Sequence, residues 1–183
     1  MALKRLTFSP VPNRIATALV LALLLGGCGM SVDGINNPLP RMGKEKAEEW
    51  ARHWTESMAR TARAEIQPQT DPDVPAANFT NCVGKNNESA DDGRFTLDYS
   101  VRAKLLKEQH AEAIRAIRDT LTKKGFEIQG YRSDPSKDPA NLVDAKHPKD
   151  HQFVSAGDVT DELLVLIVTT PCLLPPGAEQ QQF

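Results

Sequence analysis

The residues with the richest chemistry lie between positions 144 and 151, where His147-Pro148-Lys149-Asp150-His151 follows Asp144. Two histidines four apart can share a zinc ion when both sit on one helix face. Pro148 directly follows the first His and the surrounding residues are loop formers. That geometry is therefore not prearranged, and the segment reads as a solvated polar loop without a metal. His110 falls on the apolar stripe of an expected helix and reads as a core histidine at the stripe's edge rather than a base. Asp91-Asp92 and Asp161-Glu162 are acidic pairs at strand–loop junctions. Adjacency in sequence does not set the carboxyl separation that glycoside hydrolysis requires, so both read as turn chemistry. The chain has no Gly-x-Ser-x-Gly elbow, phosphate-binding loop, dinucleotide fingerprint, HExxH pair or EF-hand loop. The sequence assigns no catalytic residue, metal ligand or cofactor.

The cysteines are more informative. There are three: Cys28, Cys82 and Cys172. Cys28 closes an N-terminal segment in which Lys4, Arg5 and Arg14 are the only charges and Ile15 to Leu25 is uncharged throughout. A basic start, an apolar middle and small residues at a cleavage point form an export signal. The apolar run of about a dozen residues is short of the roughly 20 that span a bilayer. Cys82 and Cys172 remain, and an even pair in an exported chain reads as a disulfide, with two buried thiols as the alternative. It would close a loop of about 90 residues and contribute roughly 4 kcal/mol in the chain-entropy picture. Neither cysteine has a Cys or His close in sequence, which disfavours a metal pair.

Leu25-Gly26-Gly27-Cys28 resembles the lipobox of bacterial lipoproteins, in which Leu and two small residues precede the lipidated cysteine. The resemblance implies removal of residues 1–27 and a diacylglycerol thioether on Cys28, with its amine open to acylation. It places the chain at the extracytoplasmic face of the cell membrane, anchored without spanning it. Each buried methylene contributes about 0.8 kcal/mol, and two or more chains hold stably. A lone helix before the sheet and a late apolar strand ending Thr170-Pro171-Cys172 add to a likeness with small actinobacterial lipoproteins. That likeness implies a location and a disulfide and brings no catalytic residue.

Removing residues 1–27 from the 183 leaves 156, enough for one domain with its own core. Lys4, Arg5 and Arg14 leave with that segment while every acidic residue stays, which takes the formal charge from −2 to −5. An acidic domain lacks the basic footprint that nucleic acid requires. It is also not attracted strongly to anionic headgroups. The sequons at Asn78 and Asn87 carry no weight in a bacterial lipoprotein.

Four segments position these residues: a signal peptide over 1–27, a flexible tether over 28–42, an α+β domain over 43–174 and a disordered tail over 175–183. The tether is rich in Gly, Asn and Pro and reaches about 20 Å. Ala47, Trp50, Ala51, Trp54, Met58, Ala62 and Ile66 recur at helical spacing and predict a helix from Gly43 to Gln67, ended by Pro68. Strands are expected at Phe79–Val83 and Arg94–Arg102, the second alternating cleanly. A second helix follows over Leu105–Lys124, with Leu106, His110, Ala113, Ile114, Ile117 and Leu121 as its stripe. Gly125 follows its cap. Further strands are expected at Phe126–Arg132, weakly at Gln152–Ala156 with a turn at Gly157-Asp158, and at Leu163–Thr170. The last is a continuous apolar run that reads as central, buried on both faces or beneath helices. Residues 133–150 read as a loop with a strand fragment at Leu142-Val143. The order helix-strand-strand-helix-strand-strand-strand predicts two helices on one face of a mostly antiparallel sheet of four to five strands. The disulfide would set the first and last strands side by side.

Trp50 and Trp54 share a helix face with Met58. The stripe packs on the sheet, or part of it lines an apolar ligand groove or partner surface. The leading functional expectation is a membrane-anchored, non-enzymatic binding or accessory module of the cell envelope, meeting an envelope protein or ligand. The alternatives are a carrier of an apolar small molecule or lipid, and a hydrolase without a recognisable motif.

Overall fold

The computed structural model describes residues 37–70 and 76–183. Cys28, the expected signal peptide and most of the expected tether lie outside them. Among the described residues there are two helices and seven strands: α1 (Lys44–Ala62), β1 (Glu65–Ile66), β2 (Ala77–Asn81), β3 (Phe95–Lys104), α2 (Lys107–Lys123), β4 (Glu127–Ser133), β5 (Asn141–Lys146), β6 (Phe153–Thr160) and β7 (Leu163–Thr169). The α+β class and the antiparallel sheet stand; the count of four to five strands is corrected to seven.

Two strands account for the difference. The expected first helix runs through Ile66, whose spacing from Met58 and Ala62 fits a helical stripe. The helix instead stops at Ala62, and Arg63 takes a left-handed φ of 56°. The free edge of β3 explains this, since Glu65 pairs with Lys104 and Ile66 with Ala103. The second addition is β5, of which only Leu142-Val143 was legible. Its inward residues are Val143 and Ala145, and a two-residue apolar signal between polar neighbours is too short to reveal six residues of strand. The turn expected at Gly157-Asp158 lies later, at Asp161-Glu162, and Gly157 sits within β6. A Cβ on Gly157 would stand 3.1 Å from Leu142 Cδ1 and 3.2 Å from the Asn141 carbonyl oxygen, so the residue marks a close strand approach rather than a turn.

The sheet runs β1-β3-β7-β6-β5-β4, every pair antiparallel, with β2 also on the outer edge of β3. β7 is therefore central, as its apolar run predicts. Leu164, Leu166 and Val168 face the core together with Leu97, Tyr99 and Val101 of β3. α1 packs over β3 and β7, and α2 over β4, β5 and β6. Leu163, Val165 and Ile167 point to the opposite face and are half-buried. That face is knitted by Thr169 donating to Asp98 (2.7 Å) and Ser155 donating to Asp144 (2.7 Å).

α2 begins at Lys107, so Leu105 is the buried residue and Leu106, expected on the stripe, is exposed at the N-cap. Gly125 takes φ 87° after the helix, and Phe126 N–H donates to Leu121 C=O (3.0 Å), which turns the chain directly into β4.

Candidate functional site

The structure joins Cys82 to Cys172, with Cα atoms 6.0 Å apart. The strands that lead into them do not lie side by side as expected. β2 and β7 flank β3, and the disulfide straddles its first residues: Cys82 N–H donates to Arg94 C=O (3.4 Å), while Phe95 and Leu173 exchange backbone hydrogen bonds at 2.9 and 2.7 Å.

Beside it lies a site that sequence reasoning missed. Arg94 and Asp92 form a buried ion pair, their side chains 0% and 1% exposed. Arg94 Nε donates to both oxygens of Asp92 (2.8 and 2.9 Å), and Nη2 donates to Oδ2 and to the Gln181 carbonyl. Gln181 N–H donates to Asp92 Oδ2 (3.0 Å). The Arg94 guanidinium holds the Asp92 carboxyl well below the usual carboxylate range, helped by the backbone N–H groups of Gln181 and Arg94 and opposed by burial. The only local hint was the spacing Asp92-Gly93-Arg94, which reads as a turn. The partners that complete the site come from nearly 90 positions later.

The tail expected to be disordered over 175–183 is thereby bonded in place. So is the end of the expected tether. Met42 N–H donates to Leu174 C=O (3.0 Å) and Leu174 N–H to Pro40 C=O (2.9 Å). Arg41 Nη1 donates to Ala178 C=O (2.7 Å). Lack of hydrophobic periodicity says nothing about backbone and amide hydrogen bonds, which hold both segments.

The expected apolar surface contracts. Met58 is 2% exposed and belongs to the core. Trp50 and Trp54 are half-buried, with ring centroids 6.0 Å apart. Trp54 meets Phe126 edge-on at 4.8 Å, Lys124 Nζ lies 5.5 Å over its ring, and Phe126 meets His147 at 5.1 Å. These contacts bind α1 to the turns after α2 and β5. Two clefts among the described residues lie elsewhere. One, of about 490 Å3, opens by Lys104, Thr160 and Glu162; the other, of about 130 Å3, lies between α1 and α2 by Arg63 and Glu112.

The histidine cluster is dispersed. Asp144 faces Ser155 on the open sheet face, whereas His147 turns to Asp150, with Nδ1 and Oδ2 3.1 Å apart. His151 takes φ 54° in the tight β5–β6 turn. Among the described residues no group of three or more His, Cys, Asp or Glu can hold a metal ion. His110 is 1% exposed, and both ring nitrogens are engaged: Nε2 is 2.9 Å from Leu105 C=O and Nδ1 is 2.9 Å from Asp158 Oδ1. The second contact is not aligned as a hydrogen bond, and Asp158 Oδ1 accepts none. Asp158 Oδ2 accepts from Asn141 N–H (2.8 Å) and Nδ2 (3.0 Å). The ring is fixed by the Leu105 carbonyl and lies between α2 and the end of β6 at Asp158.

Among the described residues, no helix is long and apolar enough to cross a membrane. The arrangement can grip backbone, through Asp92 and Arg94. The chain matches no protein-family model, no curated protein and no solved structure.

Proposed function

We propose that the protein is an extracytoplasmic lipoprotein, held to the membrane by a diacylglycerol on Cys28, whose domain is a non-enzymatic binding or accessory module of the cell envelope. The observation that carries this reading is Leu25-Gly26-Gly27-Cys28 at the end of an uncharged apolar run. The Cys82–Cys172 pairing supports it in two ways. It suits an oxidising compartment, and it leaves Cys28 as the cysteine without an assigned partner. The docking of residues 37–42 onto the tail supports a short tether, nine residues from Cys28 to Asn36, with a reach of about 17 Å.

Engagement of His110, Asp158, Asp92 and Arg94 in structural pairs favours a binding module over a hydrolase. Burial of Met58 and the Trp54–Phe126 contact weigh against the apolar carrier. The test is fractionation of cells expressing wild type and Cys28→Ala. The substitution is expected to move the protein out of the membrane fraction or leave it unprocessed. Normal processing with unchanged membrane retention would rule out the lipid anchor.

A further inference from the structure

Residues 178–183 lie between the leading segment 37–42 and the turn at Asp91–Arg94, and both walls read them by donor–acceptor chemistry. Gln181 is clasped on both sides of its backbone, its N–H by Asp92 and its carbonyl by Arg94. Its side-chain Oε1 accepts from Asp91 N–H (3.1 Å). Gln180 spans the other wall, where Oε1 accepts from Leu39 N–H (2.9 Å) and Nε2 donates to Asn37 C=O (2.8 Å). The Phe183 ring lies 4.7 Å from the Arg94 guanidinium carbon, and a Cβ on Gly84 would stand 3.1 Å from Phe183 Cγ. Two successive glutamines and an aromatic two residues after the second are thus each specified.

A strap held by apolar packing alone would need none of this. Backbone clasps that fix an extended segment, with side-chain contacts that select its sequence, are how peptide-binding sites work. The connection to the sheet is three residues, Pro175-Pro176-Gly177, between Leu174 and Ala178; Ala178 N–H donates to Pro175 C=O (3.2 Å), and Gly177 takes φ 83° with nothing close to where a Cβ would be. A segment docked by such contacts beyond a short connection makes the same contacts whichever copy of the chain supplies it.

We propose that this groove is a binding site for an extended Gln-Gln-x-Phe peptide, that the chain's own tail is its resident ligand, and that the tail of a second copy takes its place when the resident one is released. The inference does not depend on the lipid anchor. It is tested on the full chain. Gln181→Pro combined with Phe183→Ala removes the clasped N–H and the aromatic contact, which releases the resident tail. A fluorescent peptide with the sequence of residues 178–183, standing for the tail of a second copy, is then titrated and followed by anisotropy. The released variant is expected to bind it saturably. Wild type is expected to bind at least about tenfold more weakly, because its own tail occupies the groove. Adding Asp92→Asn to the released variant is expected to abolish binding while its circular dichroism spectrum stays that of the released variant. Absence of saturable binding to the released variant, equal binding by wild type, or binding that survives Asp92→Asn would overturn the proposal. So would failure of the released variant to fold, since the tail would then be core rather than ligand.

Discussion

Two buried polar pairs close opposite ends of β3, and they are held in opposite ways. Before its first residue, Arg94 is paired with Asp92 and covered by Gln181, 87 positions later, while the Cys82–Cys172 disulfide crosses alongside. After its last residue, His110 bonds the Leu105 carbonyl, only five positions back, and meets Asp158 at the end of β6. The first site exists only once distant parts of the chain have met. The second falls on a helix stripe that would be buried in any case. Burying a full charge pair near a sheet edge takes a cover brought from elsewhere, whereas a histidine inside the helix–sheet layer needs only a carbonyl and a carboxylate already at hand.

The contrast can be broken most strongly at the disulfide. Cys82→Ala with Cys172→Ala is expected to lower unfolding free energy by about 4–5 kcal/mol in urea titrations, from the loop of 90 residues it closes. A loss below about 1 kcal/mol would mean that the ion pair and tail close this end unaided. Next is Asp92→Asn, which leaves Arg94 buried without a counter-charge and is expected to cost about 3–5 kcal/mol. The same carboxyl makes this end acid-sensitive. Its folded form resists protonation, so the stability it contributes is complete above the unfolded carboxylate value of about 3.9 and is lost as pH falls through and below it. Thermal melts of Asp92→Asn between pH 7 and pH 3 are expected to lose less stability than those of wild type; parallel losses would place the acid sensitivity elsewhere. The smallest effect is expected at the other end. His110→Ala removes a carbonyl contact and a carboxylate partner and is expected to cost about 2 kcal/mol. A loss equal to that of Asp92→Asn would erase the distinction between the two ends.

The same contrast explains what the sequence made legible. β3 and the buried stripes of both helices are written in period, β7 in an unbroken apolar run, and His110 was readable because a stripe carries it. Cys82 and Cys172 were readable through redox logic rather than geometry. Ile66 misled because its spacing fits a helix equally well, and the edge of β3 decided the matter. β5 was hidden because Val143 and Ala145 are its only fully buried residues. The Asp92–Arg94 clasp was hidden more deeply. Asp-Gly-Arg reads as a turn, and Gln180-Gln181-Gln182-Phe183 carries no period at all, so neither half announces the other.

The tail bears on the proposed anchor as well, because Gln180 holds the leading segment from residue 37 onward and leaves nine residues back to Cys28. The proposed anchor is tested most directly by mass spectrometry of the N-terminal peptide of the mature protein purified from bacterial membranes. The account predicts a chain that begins at Cys28 and carries the mass of a diacylglycerol thioether on its sulfur. A mature chain that begins at any other residue, or at an unmodified Cys28, would contradict it.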